Sequence, residues 1–413
     1  MPGSGLGPRR PWDGRRIVLG VTGGIAAYKS VQLARDLTRL GATVDVALTR
    51  GAQNFVQPLS FEGITGRPAL TELFSTDGAA LHLKLGQEAD VVCVAPATAD
   101  FLARAAQGRA NDLLTTTLLA TRAPIVLCPA MNDRMYAHPQ TQANIAHLRE
   151  ALSYRIAGPA VGPLAFGEGE GPGRMLEPGD IIQEVGRALA PSSSLSGTHV
   201  LVTAGPTREA IDPVRYVGNR SSGRMGFALA TAAWRRGARV TLVSGPVALE
   251  DPYGVEIVRV ETAREMFDAV SNSIPKVDVS IFAAAVADFR PDHVSESKLK
   301  RAELGPETTV SLVQNPDVAR DTMEFRRGGS IAVGFALETA DLVENSWKKL
   351  ESKRFDLIVA NDANEAGVGF EVETNRVTLL TAGGAAEDVP LSSKHEVAEI
   401  ILDRIALLSG SGQ

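Results

Sequence analysis

The chain is predicted to be an α/β protein made of two doubly wound, Rossmann-like domains. Three observations carry that prediction. Short β-branched runs alternate with segments of helical apolar spacing through both halves, the pattern of strand–helix–strand crossovers and therefore of parallel sheets. Residues 190–197, APSSSLSG, have the composition of a linker and divide the alternation in two. The 413 residues, 44% hydrophobic and 22% charged, suit two or three core-forming domains of ordinary composition.

In the first half, residues 16–21, 43–48, 90–95 and 125–128 read as buried strands. Between the first two, Ile25, Tyr28, Leu33, Leu37 and Leu40 recur at helical spacing, and Gly41 supplies a stop. In the second half, strands are expected at 199–203, 239–244, 277–285, 331–335, 355–360 and 376–380. Helices are expected there at 227–236, 263–272, 342–353 and 394–407. Residues 1–14 have the Gly/Pro composition of a disordered tail and lack the apolar stretch of a signal peptide. No run reaches the ~18 apolar residues of a membrane span, so a soluble, cytoplasmic protein is expected. With 42 Lys+Arg against 48 Asp+Glu, a net charge of -6, no global field draws the protein to nucleic acid or a membrane. Any phosphate site must therefore be local. Cys93 and Cys128 lie in apolar runs, where two thiols make neither a disulfide framework nor a zinc site. Buried, unreactive thiols are expected.

The chemistry lies in the loops after the strands. From Val200 to Gly226 a β-branched run ends in a glycine turn, crosses a polar loop and enters a helix near Met225. Beyond the carboxyl end of such a strand a helix N-terminus favours an anion. The loop matches neither the P-loop nor the G-x-G-x-x-G fingerprint, which points to a nucleotide site of another construction. In the first half, VLGVTGGIAAYK places Thr22, Gly23 and Gly24 between a strand and a helix. Ala95-Pro96-Ala97-Thr98-Ala99-Asp100 follows the third strand and Pro129-Ala130-Met131-Asn132 the fourth. All three loops should meet on one sheet edge, where small residues and hydroxyls suit a flat ring with a phosphate tail. His82, just before the third strand, is the obvious base if it reaches that edge.

TGGIAAYK, His82, APATAD, ANDLL at 110–114 and PAMNDRMY at 129–136 together resemble the flavin-dependent cysteine decarboxylase family. The second half, through AGPTREAIDPVRY, NRSSGRMG, AAAVADFR, SKLK and NPD, resembles the phosphopantothenoylcysteine synthetase domain. In this order the two resemble the bacterial bifunctional coenzyme A biosynthesis family, from about Arg15 to the C-terminus. The resemblance implies a flavodoxin-like flavoprotein domain over 15–189, with a mobile flap at 158–178, and a nucleotide-binding ligase domain over 198–413.

The reaction so implied for the first domain is decarboxylation of phosphopantothenoylcysteine to 4′-phosphopantetheine with FMN, whose oxidising power gives the departing CO2 an electron sink. Gly23, Gly24, Thr49, Pro96, Ala97, Thr98 and Asn111 would hold the cofactor. His82 would be the catalytic base, Asn132 would grip the substrate carboxylate, and Arg174 and Met175 of the flap would contact substrate. The second domain would ligate 4′-phosphopantothenate to L-cysteine using CTP, through an acyl-cytidylate. Asn219 would handle that acyl intermediate and Lys298 the activation step. Asp288, Asn315, Pro316, Asp317, Phe335, Lys349 and Lys353 would contact the cytidine nucleotide, with Mg2+ on the triphosphate and its protein ligands unassigned. The family's assembly implies a homo-oligomer, a dodecamer built from trimers of flavin domains and dimers of ligase domains, with flavin sites shared between neighbours.

The chain departs from the family pattern in two places. Phe166 stands where a flap cysteine often donates the returning proton, so Glu168, water or another acid must replace it. Arg224 and Gln314 stand where lysine is frequent. Two other readings compete. One is an NAD(P)-dependent oxidoreductase, for which Asp45 lies near the right distance but the glycine spacing is wrong. The other is an active ligase joined to an impaired decarboxylase domain that serves as a flavin-binding structural or regulatory module.

Overall fold

The computed structural model describes residues 11–74, 80–167, 169–190, 195–300, 308–338, 341–362 and 372–410. The chain divides into two compact units, Met1–Ala190 and Pro191–Gln413. Among the described residues no helix is long and apolar enough to cross a membrane.

The first unit is built on five parallel strands: β1 Arg16–Val21, β2 Thr43–Leu48, β3 Val91–Ala97, β4 Ile125–Pro129 and β5 Arg155–Ile156. Their order is β2-β1-β3-β4-β5, and every pair is parallel. Helices cover both faces of such a sheet, which is why β3 is buried along its whole length and reads as an unbroken apolar run. The helix Ala27–Arg39 buries Ala27, Ser30, Leu33, Ala34 and Leu37 at three- and four-residue intervals. The Ser30 hydroxyl donates to the Ala95 carbonyl at 2.6 Å, fastening the helix to β3. Gly41, at φ +99°, ends it. The helix starts at Ala27 rather than near Ile25, because 22–26 form a turn closed by Ala27 N–H donating to Gly24 O at 2.9 Å. Ile25 and Tyr28, expected on the buried face, are therefore exposed. Cys93 and Cys128 lie on β3 and β4 as free, buried thiols.

One further expectation changes here. The tail, expected over 1–14, gives way by Trp12, which is buried and donates its N–H to Leu40 O at 3.0 Å. Residues 1–10 lie outside the described residues. The segment expected as a flap holds a two-stranded antiparallel hairpin, β6 Ala160–Pro163 with β7 Glu170–Arg174.

The second unit holds an eight-stranded sheet. Its strands are β8 His199–Ala204, β11 Arg239–Ser244, β12 Glu256–Arg259, β13 Val279–Phe282, β16 Ile331–Glu338, β17 Leu357–Asp362, β18 Thr374–Thr381 and β19 Ala386–Ser393. Two small ribbons flank it in sequence, β9 Arg208–Ala210 with β10 Tyr216–Gly218, and β14 Phe289–Pro291 with β15 Leu312–Gln314. The main order is β12-β11-β8-β13-β16-β17-β18-β19. The six strands from β12 to β17 are parallel, but β18 runs against β17 and β19 against β18. The sheet is mixed where a purely parallel one was expected. For the last pair the cause is the connection between β18 and β19, a tight turn with Gly384 at φ +85°, far too short for a crossover helix. Glu387, Asp388 and Pro390 make β19 a guarded edge.

The helix Arg224–Arg235 leaves the end of β8 after Gly223, which sits at φ +74°. Its first turn packs so closely on the strand that a Cβ at Gly226 would lie 2.5 Å from the Ala204 Cβ and 3.1 Å from the Thr203 carbonyl oxygen. Gly226→Ala is expected to destabilise the second unit by about 1–3 kcal/mol through overpacking. Urea unfolding of that unit checks this, and an unchanged midpoint would contradict the close approach.

Candidate active sites

In each sheet the strand order reverses beside the first strand of the unit, at β1/β3 and at β8/β13. The crevice above the carboxyl ends at such a reversal is where α/β sheets hold ligands, and a cavity lies at each.

The first cavity, about 1080 Å³, is lined by Thr22, Gly23 and Gly24 after β1, Thr49, Arg50 and Gly51 after β2, Thr98 after β3, and Asn132 after β4. The floor is knitted together by hydroxyls. Thr22 Oγ1 donates to Pro96 O at 2.8 Å and accepts the Thr98 N–H at 3.2 Å, while Thr98 caps the helix Ala99–Ala106 through Phe101 N–H. The 22–24 and 49–51 loops touch so closely that a Cβ on Gly23 would meet the Gly51 backbone at 2.8 Å. Only glycine allows that contact. Asn111 lines the wall and accepts from Arg104, which also pairs with Asp100 at 3.0 Å. Lys29, in the first turn of its helix, pairs with Glu177 at 2.8 Å. Hydrogen bonding from Lys29 holds the Glu177 carboxyl below its usual range.

The hairpin forms part of this wall. Gly173 O accepts the Met131 N–H at 3.0 Å, and a Cβ at Gly173 would lie 2.2 Å from Met131 O, so hairpin and PAMN loop are in backbone contact. Arg174 and Met175 line the cavity, as do Pro163, Leu164 and Ala165. Phe166 projects from the tip into solvent, and Glu168 lies outside the described residues.

Four residues named from sequence lie elsewhere. Pro96 and Ala97 are the last two residues of β3 and are not part of the lining. His82 sits on the helix Leu81–Glu88, away from this lining, its Nδ1 buried with no hydrogen-bond partner among the described residues. Asp45, the acid that a dinucleotide reading would need, is buried under Arg16 and Arg67, each Nε at 2.7 Å. Its carboxylate is committed to the fold.

The second cavity, about 420 Å³, gathers Asn219, Asp288, Asn315, Pro316, Asp317, Phe335, Lys349 and Lys353. Its back wall is the chain leaving β13. Thr203 Oγ1 accepts Ala284 N–H at 3.2 Å and Thr207 Oγ1 accepts Ala287 N–H at 2.9 Å. Asn219 donates through Nδ2 to Val286 O at 2.8 Å, and Asn315 likewise to Ala287 O at 2.8 Å. Lys349 and Lys353 share one face of the helix Leu342–Ser352 and its cap, and that face looks into the cavity rather than into open solvent. Lys353 pairs with Asp317 at 2.8 Å. Burial alone would raise the Asp317 carboxyl, but hydrogen bonds from Lys353 and from Arg320 N–H outweigh it and hold it below its ordinary value. Gln314 and Arg224 also line the wall. Lys298 does not: it is exposed on a loop outside the lining.

Sequence reading overlooked Lys394. It opens the C-terminal helix, is 6% exposed, and lines the cavity with Arg224, Asn361 and Asn375. Burial, then the neighbouring Arg224, pushes its pKa below the ordinary lysine value. A cation in the first turn of a helix opposes the helix dipole, and that mismatch was the available signal. Chemically, the first cavity offers glycine loops and hydroxyls around a broad opening. The second offers amides, an aromatic ring and a cluster of cations suited to a polyanion.

Residues 195–408 match the family "DNA/pantothenate metabolism flavoprotein C-terminal domain", and residues 8–190 match the "Flavoprotein" family. A relative from Vibrio vulnificus strain CMCP6, the "Coenzyme A biosynthesis bifunctional protein CoaBC", is 45% identical over 399 residues, covering 96% of this chain and 98% of its own. Its namesake from Escherichia coli strain K12 is 44% identical over 398 residues, covering 95% and 97%. A solved structure described as the C-terminal domain of a CoaBC protein is 40% identical, covers 53% of this chain and 100% of its own, and superposes with a TM-score of 0.46.

Asp317→Asn keeps the helix cap but removes the charge facing Lys353. Because folding lowers this carboxyl's pKa, its contribution is complete above the unfolded aspartate range and fades as pH falls through the folded value. The wild type should exceed the variant by about 0.5–1 kcal/mol at neutral pH, the gap closing in acid. Urea titrations across pH check this, and a gap indifferent to pH would refute the ion-pair account.

Proposed function

The chain belongs to the coenzyme A biosynthesis bifunctional family, and from that premise we propose how its two cavities divide the work. The chain is a phosphopantothenate–cysteine ligase and a phosphopantothenoylcysteine decarboxylase, with the ligase in the second unit and the decarboxylase in the first. The observation that carries this division is the separate cavity at each strand-order reversal, each walled by its own set of family motifs.

In the second unit the nucleotide is CTP. A carboxylate oxygen of 4′-phosphopantothenate attacks the α-phosphorus and pyrophosphate leaves. The cysteine amine then attacks the acyl carbon and CMP leaves. Asp288, Asn315, Pro316, Asp317, Phe335, Lys349 and Lys353 hold the nucleotide. Asn219 hydrogen-bonds the acyl intermediate where charge develops. Lys298 serves the activation step as a point cation. Arg224 keeps the charge usual at its position, and Lys394 adds another cation to the same wall. Mg2+ enters on the triphosphate, which needs few protein ligands for it.

In the first unit the cofactor is FMN. The residues present fit such a group: the close contact of the 22–24 and 49–51 loops leaves backbone and hydroxyls facing the cavity, and Thr98 opens a helix beside them. Gly23, Gly24, Thr49 and Thr98 would cradle its phosphate and ring, with Pro96 and Ala97 supporting the floor from within β3 and Asn111 on the wall. Bound flavin supplies a reversible two-electron sink, so that CO2 can leave the cysteine-derived carboxylate. Asn132 orients that carboxylate, and Arg174 and Met175 close over the substrate. His82 is the base. Its position off the lining of its own cavity supports a flavin site shared between neighbouring copies, as in the trimer-based dodecamer implied by the family resemblance. Phe166 carries no ionisable proton, so the final protonation draws on water or another acid, and turnover runs to 4′-phosphopantetheine.

Incubation of the full chain with 4′-phosphopantothenate, cysteine, CTP and Mg2+ should yield CMP, pyrophosphate and 4′-phosphopantetheine by mass. A product lighter by two hydrogens would contradict complete turnover. His82→Asn should slow CO2 release by about 10²–10⁴-fold while sparing flavin binding and ligation. Lys298→Gln should abolish steady-state ligation, leaving only a slow residual single-turnover rate, and keep the flavin spectrum intact; ligation at the wild-type rate would remove the lysine assignment.

A further inference from the structure

Lys298 stands on a loop whose backbone is held by a second motif, AIDPVR at 210–215. Asp212 is the centre of that hold. Its side chain is fully buried, and both oxygens are engaged. Oδ1 accepts the N–H groups of Val214 and Arg215, each at 2.8 Å. Oδ2 accepts Arg215 Nε at 3.0 Å and the N–H of Leu299, the residue after Lys298, at 3.2 Å. The Arg215 guanidinium, fixed by that carboxylate through Nε and Nη2, also donates from Nη2 to the Leu299 carbonyl at 2.6 Å. Upstream, Ser295 N–H donates to Ile211 O at 3.0 Å. Leu299 is thus gripped at both its N–H and its C=O by one ion pair whose carboxylate is buried.

We infer that Asp212 is a positioning residue for ligation: with Arg215 it fixes the main chain that presents Lys298, and so sets the rate of the activation step without touching substrate. The inference rests on the assignment of Lys298 to that step. A loop tethered only by solvent would hold an exposed ammonium in many orientations, and misplacement of a reacting cation costs rate steeply. Hydrogen bonds from Arg215 and three backbone N–H groups outweigh desolvation and keep the Asp212 carboxyl well below the usual range, so the grip stays intact across neutral pH.

Asp212→Asn tests this, because a carboxamide has one acceptor oxygen and cannot serve both sets of donors. In the full chain, single-turnover pyrophosphate release from CTP and 4′-phosphopantothenate should fall at least tenfold. Conversion of preformed phosphopantothenoyl cytidylate with cysteine should change less than twofold, and CTP affinity less than threefold. In a Lys298→Gln background, Asp212→Asn should add less than twofold. Arg215→Lys, which loses the Leu299 carbonyl contact, should slow the same half-reaction should the aspartate variant fold poorly. Equal loss in both half-reactions, or a full multiplicative loss on top of Lys298→Gln, would overturn the inference. If Lys298→Gln is slow and both Asp212→Asn and Arg215→Lys are normal, only the positioning role fails. If Lys298→Gln itself activates normally, the lysine assignment fails first and takes this inference with it.

Discussion

A parallel strand can be followed by a crossover on only one face, so wherever successive crossovers leave on opposite faces the sheet edge stays uncovered between them. That constraint operates twice here, beside β1 and beside β8, and the remaining features of each site follow from it. The loops that flank the gap must approach each other, which forces glycine at Gly23 and Gly226, where any side chain would strike backbone or a neighbouring β-carbon. The side chains that fill its walls then decide what enters: hydroxyls and glycines in the first unit, amides and cations in the second.

The two cavities differ most in how they handle charge. In the first, Lys29 pairs with Glu177 and Arg104 with Asp100, and the floor is neutral. In the second, Arg224 and Lys394 stand close enough to repel, and both line the same wall as Lys349 and Lys353. Lys353 is balanced there by Asp317 at 2.8 Å and Arg224 by Glu373 at 3.5 Å.

Much of the architecture was legible because buried parallel strands leave unbroken apolar runs, and β1, β2, β8 and β11 fall where those runs lie. The antiparallel additions were not. β19 is an edge strand of mostly exposed residues, and β6 and β7 are short, glycine-rich and half-exposed, so neither shows the alternation by which a strand is recognised. At the sites, the strand-end loops could be read because sheet topology forces neighbouring strands' loops together. Lys394 offered only its mismatch with the helix dipole and Asp212 no sign of its partner, since each reaches its role from distant sequence through tertiary packing, Lys394 against Arg224 and Asp212 against Leu299. Lys298 and His82 show the converse: motif residues whose places in the fold lie off the cavities their motifs imply.

The sulfur content of the chain has a chemical consequence. Its two cysteines, Cys93 and Cys128, are buried side by side in adjacent strands, and hydrogen bonding between them together with burial raises the Cys128 thiol's pKa well above the ordinary value. Phe166 puts an aromatic ring at the tip of a hairpin where a sulfhydryl would have met solvent. A protein that consumes one mercaptan and releases another therefore presents no exposed thiol of its own, and under oxidising conditions it has no surface cysteine at which its substrate or product could become attached as a mixed disulfide.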